Sequence, residues 1–251
     1  MNITNFRDIG GITTRLGKIK EKRLLRSGEL HQLSEANVLS LRNDYNLKLI
    51  IDLRSPIEAS EHPDSEVDGA RYLHLDVMAN LDNGNTSFAR LLAQLDLANV
   101  DTHMKKVYRD IILDDHASQE YGNFMREIAD LASGSALFHC FAGKDRTGLG
   151  AALLLDTLGA SKDDIYADYM LTNTMRENAN ATICDGVARQ YNLSSAQIEA
   201  LRQFLLVKEE YIDETYRTIN DTYGSTENYI LKGLKVAPGT LDKIRACYID
   251  S

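Results

Sequence analysis

The chain predicts an α/β domain with a small, mostly parallel central sheet flanked by many helices. Three observations carry that expectation. Short buried-strand patterns alternate with amphipathic helical stretches through the first half of the chain. The second half keeps helical spacing almost throughout, with only short breaks. Between them, the apolar run Ala136-Leu137-Phe138 passes through a glycine-containing turn into an apolar stretch of helical spacing from Gly148 to Leu158, the order strand, loop, helix.

Taken in order, Arg23 to Arg26 reads as a strand. Ser34 is placed to cap a helix running to about Asn43, with Leu33 and Val38 spaced as a hydrophobic staple across the cap. Leu47 to Leu53 is a buried strand. Ser55-Pro56-Ile57-Glu58 starts a short helix, because it joins a capping serine, a proline at the first helical position and a glutamate three residues after the cap. Ala70 to Leu75 is a further strand, and helical patterns occupy about 87–97, 101–113 and 118–132. Beyond the Gly148 to Leu158 helix, Ser161 caps another to about Asn173, and helical spacing continues at 176–191, 195–222, 226–234 and 239–249. No internal repeat or low-complexity linker appears, so 1–251 is expected to form a single domain.

The turn after the Ala136 to Phe138 strand holds the chemistry. Residues 139–148 read His-Cys-Phe-Ala-Gly-Lys-Asp-Arg-Thr-Gly. Cys140 leaves the strand end and Arg146 begins a helix, so the backbone N–H groups of Phe141, Ala142, Gly143 and Lys144 can point inward beside a helix N-terminus. That is a cradle for a tetrahedral anion, and Gly143 permits the positive φ it needs. A thiol beside a helix N-terminus and an arginine is favoured as the attacking thiolate, which makes Cys140 the candidate nucleophile. Arg146 has the planar fork that matches two phosphate oxygens at once. Thr147 can donate its hydroxyl to the sulfur when that sulfur becomes the leaving group. A buried structural cysteine is the plain alternative, but it leaves the glycine, arginine and threonine unexplained.

This segment resembles the active-site loop of the cysteine-dependent phosphatases, particularly the bacterial tyrosine phosphatases that also accept phosphoinositides. Asn5-Phe6-Arg7-Asp8-Ile9-Gly10-Gly11 resembles that family's opening motif, Arg26-Ser27-Gly28 its next strand end, and Asp52-Leu53-Arg54 the end of a central strand. Asp168-Tyr169-Met170-Leu171-Thr172-Asn173 resembles its helix after the catalytic loop. The resemblance implies the cysteine phosphatase fold and a hydrolase that cleaves phosphate monoesters through a phosphocysteine intermediate. A phosphorylated protein or a phosphoinositide is the implied substrate. No cofactor or metal is expected, since the loop supplies the positive field and the six histidines contain no His-Glu-x-x-His arrangement.

The proton donor is ambiguous in the sequence. Asp145, inside the loop, is the first candidate for the leaving oxygen, with pairing to Lys144 or Arg146 as its other role. Asp76, just after the Ala70 to Leu75 strand, is a possible general acid, with a strand-end cap as its alternative. Lys144 adds a second cation, which in the resembling lipid phosphatases meets further phosphates on an inositol ring. His139 reads as support for the loop backbone, and Asp52 with Arg54 as a local ion pair. Residues 176–206 lie between family-like stretches and form a possible helical lid, although ordinary packing of Ile183, Val187, Ile198, Leu201 and Leu205 also explains their periodicity.

Composition bounds the remaining choices. The 251 residues carry 43% hydrophobic and 26% charged side chains, ordinary for a globular protein. The net charge is −9, which disfavours general nucleic-acid binding. Arg15, Lys18, Lys20, Lys22, Arg23 and Arg26 form a local basic cluster, read either as a solvated strand face or as a contact for an acidic lipid surface. Cys140, Cys184 and Cys247 lie without metal-type spacing, and a disulfide framework is not expected. No leader pattern or membrane-length apolar stretch is present, so the expected address is the cytoplasm, with export by a signal-free route left open. A phospho-ligand-binding pseudophosphatase is the alternative function, and the presence of both Cys140 and Arg146 weighs against it.

Overall fold

The computed structural model describes residues 1–81 and 98–250. The helix expected at 87–97 lies outside the described residues. The central sheet has five strands in the order β1 (Arg7–Asp8), β4 (Leu24–Ser27), β7 (Ser135–His139), β5 (Leu47–Asp52) and β6 (Arg71–His74). The last four run parallel, and β1 adds antiparallel at the β4 edge. A small second sheet joins β2 (Thr13–Thr14), β3 (Gly17–Ile19) and β8 (Ile249–Asp250). The fold is therefore α/β with a mostly parallel centre, as the sequence predicts.

The sheet separates two apolar layers, and the period-two alternation of its strands decides which side chain enters which. Leu25, Ile50 and Leu137 pack with Leu30, Leu41 and Val67 on one face, beside helix α1 (Glu35–Asn43). Leu24, Leu49, Ile51, Ala136 and Phe138 join the larger core on the other face. That core is built with α3 (Val100–Leu113), α4 (Asp115–Asp130), α5 (Asp145–Thr157), α6 (Lys162–Met175), α9 (Glu209–Tyr223) and α11 (Pro238–Tyr248). Registers Ile51↔Phe138, Asp52↔His139 and Ser27↔His139 align three strand ends at one sheet edge. Open α/β sheets place ligands beyond that carboxyl edge.

The cap signals hold. Ser34 Oγ accepts from the Asn37 N–H, and Ser161 Oγ from the Asp164 N–H. Ser55 and Glu58 form a reciprocal capping box at the start of α2 (Pro56–Glu61). The expected helix at 195–222 is instead two, α8 (Ser195–Leu205) and α9, broken at Leu206, whose backbone is extended. Neither proline nor glycine causes the break. Asn173 does, exchanging two hydrogen bonds with the backbone of Val207, each 2.9 Å. Near the C-terminus, α10 (Thr226–Asn228) widens into a π-turn at Tyr229–Gly233.

The basic cluster is smaller than its sequence suggests. Arg26 is fully buried and paired with Asp168, so it is not a surface cation. Arg23 lies over the Tyr248 ring, Lys20 donates to the Cys247 carbonyl and Lys18 pairs with Glu21.

Candidate active site

Cys140 follows the end of β7, and Asp145 opens α5, with the intervening loop lying across the ends of β4 and β5. The loop carbonyls are engaged on its outer side. The Glu29 N–H donates to the Phe141 carbonyl at 3.0 Å, and Arg176 donates to that of Ala142 at 2.8 Å. Asn5 and Arg26 both donate to that of Gly143, at 2.7 and 2.9 Å. Since the N–H and C=O of a planar peptide point oppositely, anchoring the carbonyls outward turns the following N–H groups inward. Gly143 has φ +66°, and a Cβ there would lie 2.2 Å from the Ser27 carbonyl oxygen. Conformation and space both require glycine.

One carboxylate organises these anchors. Asp168 on α6 receives Arg7 Nε at 2.6 Å and, through its other oxygen, Arg26. Arg7 in turn donates to Asn5 Oδ1 at 2.5 Å. Burial works against ionisation of Asp168, but the charges of Arg26 and Arg7 outweigh it and hold the carboxyl below its ordinary range.

The guanidinium of Arg146 is fixed by Glu58, which accepts from both terminal nitrogens at 2.6 and 2.8 Å. The same Glu58 accepts from the Ser55 N–H at 2.8 Å, so the helix cap and the arginine share one carboxylate. Despite burial, the bonds and charge of Arg146 keep Glu58 below its ordinary value. Arg146 is shifted upward: burial opposes its charge, and a Cys140 thiolate together with Glu58 overcomes that. Burial pushes Arg176 down as well, and a Cys140 thiolate opposes that for both Arg176 and Lys144. Cys140 itself is only 2% exposed, at the floor of the cradle.

Lys144 is not free to face solvent. Its ammonium donates to the carbonyls of Phe204 and Leu206 at 2.6 and 3.2 Å and lies 3.5 Å from Asp145 Oδ2. Burial pushes its pKa down. Arg176, which pairs with the Ala142 carbonyl, also donates to Asn180 Oδ1 at 3.2 Å. Both cations therefore tie the loop to the helical pair α7 (Glu177–Tyr191) and α8. Phe141 stands 38% exposed at the rim, 5.5 Å from the His62 ring.

Asp145 accepts from the Tyr108 hydroxyl at 2.6 Å. Asp76 follows β6, where its carboxylate accepts from the Met78 N–H at 3.0 Å and its carbonyl lies 2.9 Å from His116 Nε2. No contact joins Asp76 to the loop among the described residues. The Thr147 hydroxyl is buried without a hydrogen-bond partner there, so its bond to sulfur is not made in this state. His139 Nδ1 lies 3.3 Å from the Cys140 carbonyl and its Nε2 2.8 Å from Asp64 Oδ2. Asp52, Asp64 and His139 bring donor atoms within 4.8 Å of one another. The Arg54 guanidinium already bonds both carboxylates, at 2.7 and 2.8 Å, which makes this cluster an ion network beneath the loop. Here Asp52 and Arg54 are more than a strand-end pair.

Three residues of the site escaped the sequence reading. Glu58 carried a signal, the capping box, that explained it too well. Asn5 lay within a quoted motif without an assigned task. Arg176 had no local pattern at all.

A thiol at a strand end, a loop with its carbonyls anchored outward and a clamped guanidinium in the first turn of the next helix form an arrangement suited to holding a tetrahedral anion beside sulfur. The model of the tyrosine phosphatase family matches residues 1–250, and the chain belongs to that family. It is a hydrolase of the protein-tyrosine-phosphatase type. A Cupriavidus necator protein, named provisionally as a tyrosine-protein phosphatase, is 34% identical over 238 residues, 93% of this chain and 82% of that one. The triple specificity protein phosphatase PtpB of Mycobacterium tuberculosis is 29% identical over 267 residues, 96% of this chain and 95% of its own length. A tyrosine-protein phosphatase of Nostoc commune is 29% identical over 152 residues, 59% of this chain and 47% of that one. Among the described residues no helix is long and apolar enough to cross a membrane.

Proposed function

We propose that the chain acts as one catalytic unit that hydrolyses phosphate monoesters, phosphotyrosine first, through a phosphocysteine intermediate. The observation that carries this reading is Cys140 at the end of β7, followed by a loop whose carbonyls are anchored outward and by Arg146 in the first turn of α5, held by Glu58. The Cys140 thiolate attacks phosphorus in line. A sulfur–phosphorus bond forms, the phosphorus–oxygen bond to the leaving group breaks, and Asp145 gives its proton to the departing oxygen. Arg146 and the loop amides hold the equatorial oxygens as charge redistributes. Water, deprotonated by Asp145, then attacks phosphorus, and the thiolate leaves with phosphate as product. Asp145 is preferred to Asp76 because it belongs to the loop.

Phosphoserine, phosphothreonine and phosphoinositides extend the proposed range, and the triple specificity in the name of the Mycobacterium relative supports that breadth. The pair α7 and α8 is proposed as a lid, since Lys144 and Arg176 draw it onto a loop whose thiol is almost fully covered. The test is rapid quenching with a phosphotyrosine peptide, followed by mass measurement of the Cys140 peptide. A phosphate adduct on Cys140, absent from Cys140→Ser along with turnover, is expected; full turnover by Cys140→Ser sinks the reading. A parallel panel of phosphopeptides and phosphoinositides, repeated on Lys144→Ala, sets the substrate range.

A further inference from the structure

We propose that Tyr108 is a positioning residue for Asp145: its hydroxyl, backed by that of Tyr169, fixes the carboxyl in the pose from which it protonates the leaving oxygen. The inference rests on the phosphatase reading above and adds residues to its acid step. Tyr108 on α3 donates to Asp145 Oδ1 at 2.6 Å, and the Tyr108 and Tyr169 oxygens are also 2.6 Å apart. Tyr108 has one hydroxyl proton, and an ionised carboxylate can only accept. The order of donors is therefore Tyr169 to Tyr108 to Asp145.

The two oxygens of Asp145 thereby take different tasks. Oδ1 faces the buried phenol, whereas Oδ2 faces Lys144 at 3.5 Å on a side chain that is 25% exposed. Oδ2 is left to carry the proton to and from the reacting oxygens, while Oδ1 keeps the same donor in both protonation states. Both phenols are fully buried, with their rings edge to face at 6.4 Å, and the Tyr211 ring of α9 backs Tyr108 at 5.8 Å. Burial, together with the charge of Asp145, keeps both hydroxyls protonated and so available as donors.

The charged and titratable groups that share the field of Asp145 come from several elements. Lys144 and Cys140 lie on the loop and Arg146 on the same helix. Tyr169 stands on α6, Arg176 follows that helix, and Tyr121 and Tyr211 stand on α4 and α9. Of these Tyr108 and Tyr169 form the neutral donor chain, and Tyr108→Phe removes its bond to the acid while keeping the ring.

The experiment compares wild type, Tyr108→Phe, Asp145→Asn and the double variant on phenyl phosphate and p-nitrophenyl phosphate across pH. One lost hydrogen bond to a charged group predicts that Tyr108→Phe lowers kcat on phenyl phosphate roughly tenfold with KM nearly unchanged. The loss is smaller on p-nitrophenyl phosphate, whose leaving group needs less protonation. Adding Tyr108→Phe to Asp145→Asn costs little more. Equal losses on both esters, or losses that add in full in the double variant, overturn the proposal in favour of a packing role. Tyr169→Phe, which removes only the backing donor, gives a smaller effect of the same kind and serves if Tyr108→Phe does not fold. An unchanged leaving-group dependence in whichever variant folds also overturns it. Full turnover by Cys140→Ser instead defeats the phosphatase reading itself.

Discussion

Arg146 and Glu58 meet in two parallel hydrogen bonds of 2.6 and 2.8 Å across 88 residues of sequence. Glu58 also closes the cap of α2, so a local helix signal and the anion site depend on one side chain. Glu58→Gln keeps an oxygen for the cap but loses the charge and one acceptor. The expected result is a fall in kcat/KM of about tenfold, worth about 1.4 kcal/mol, with the far-ultraviolet spectrum unchanged. Unaltered kcat/KM would show that Arg146 keeps its pose without this partner.

Gly143→Ala tests the curvature of the loop. A methyl group meets the Ser27 carbonyl at 2.2 Å and demands a φ of +66° from an L-residue. Displacing the amides by about an ångström predicts a loss of roughly a hundredfold in activity. Phosphate protection against thermal unfolding should weaken in parallel, which a melting series with added phosphate measures.

Asp52 supports the loop from below and supplies a pH signature. Burial opposes its ionisation, but hydrogen bonds from Arg54 and the charge of His139 carry its pKa down to about 2. A depressed carboxyl stabilises the fold fully above its unfolded value, near 3.8, and loses that contribution as pH falls through its folded value. At one pKa unit per 1.4 kcal/mol, the contribution at neutral pH is about 2 kcal/mol. Chemical denaturation of Asp52→Asn should show the largest stability deficit near neutrality. That deficit should shrink between about pH 4 and about pH 2; a gap that stays constant with pH contradicts the assignment.

Arg176→Met cuts the tie between the Ala142 carbonyl and Asn180. Loss of one charged hydrogen bond predicts about fivefold faster limited proteolysis within 177–205, with the remaining chain resistant. Cleavage at the wild-type rate would mean that other contacts fasten the helical pair.

Much of the architecture was legible because it is written locally. Ser34, Ser55 and Ser161 announce their helices by side-chain acceptors within three residues, and the strands before Leu53 and Cys140 announce themselves by the short apolar runs Leu49-Ile50-Ile51 and Ala136-Leu137-Phe138. Cys140, Gly143 and Arg146 were legible for the same reason, since their chemistry needs fixed spacing within one turn. What the sequence hid is long-range pairing. The break at Leu206 follows from Asn173 binding Val207, and Lys144 turns toward Phe204 rather than into solvent. Arg26 looked like one of six surface cations because nothing nearby in sequence reveals Asp168. Residues 142 and 165 positions apart share one hydrogen-bond network, and no window of local periodicity reports that.

The clasp on Asp168 has a bearing on biosynthesis. Arg7 and Arg26 emerge early, the nucleophile follows at Cys140, and their common counter-ion is made last, 161 residues after Arg7. A nascent chain that has just completed the loop thus holds two arginines without the carboxylate they share. The two ion pairs that brace the loop therefore form only after Asp168 has been made, later in synthesis than the nucleophile itself.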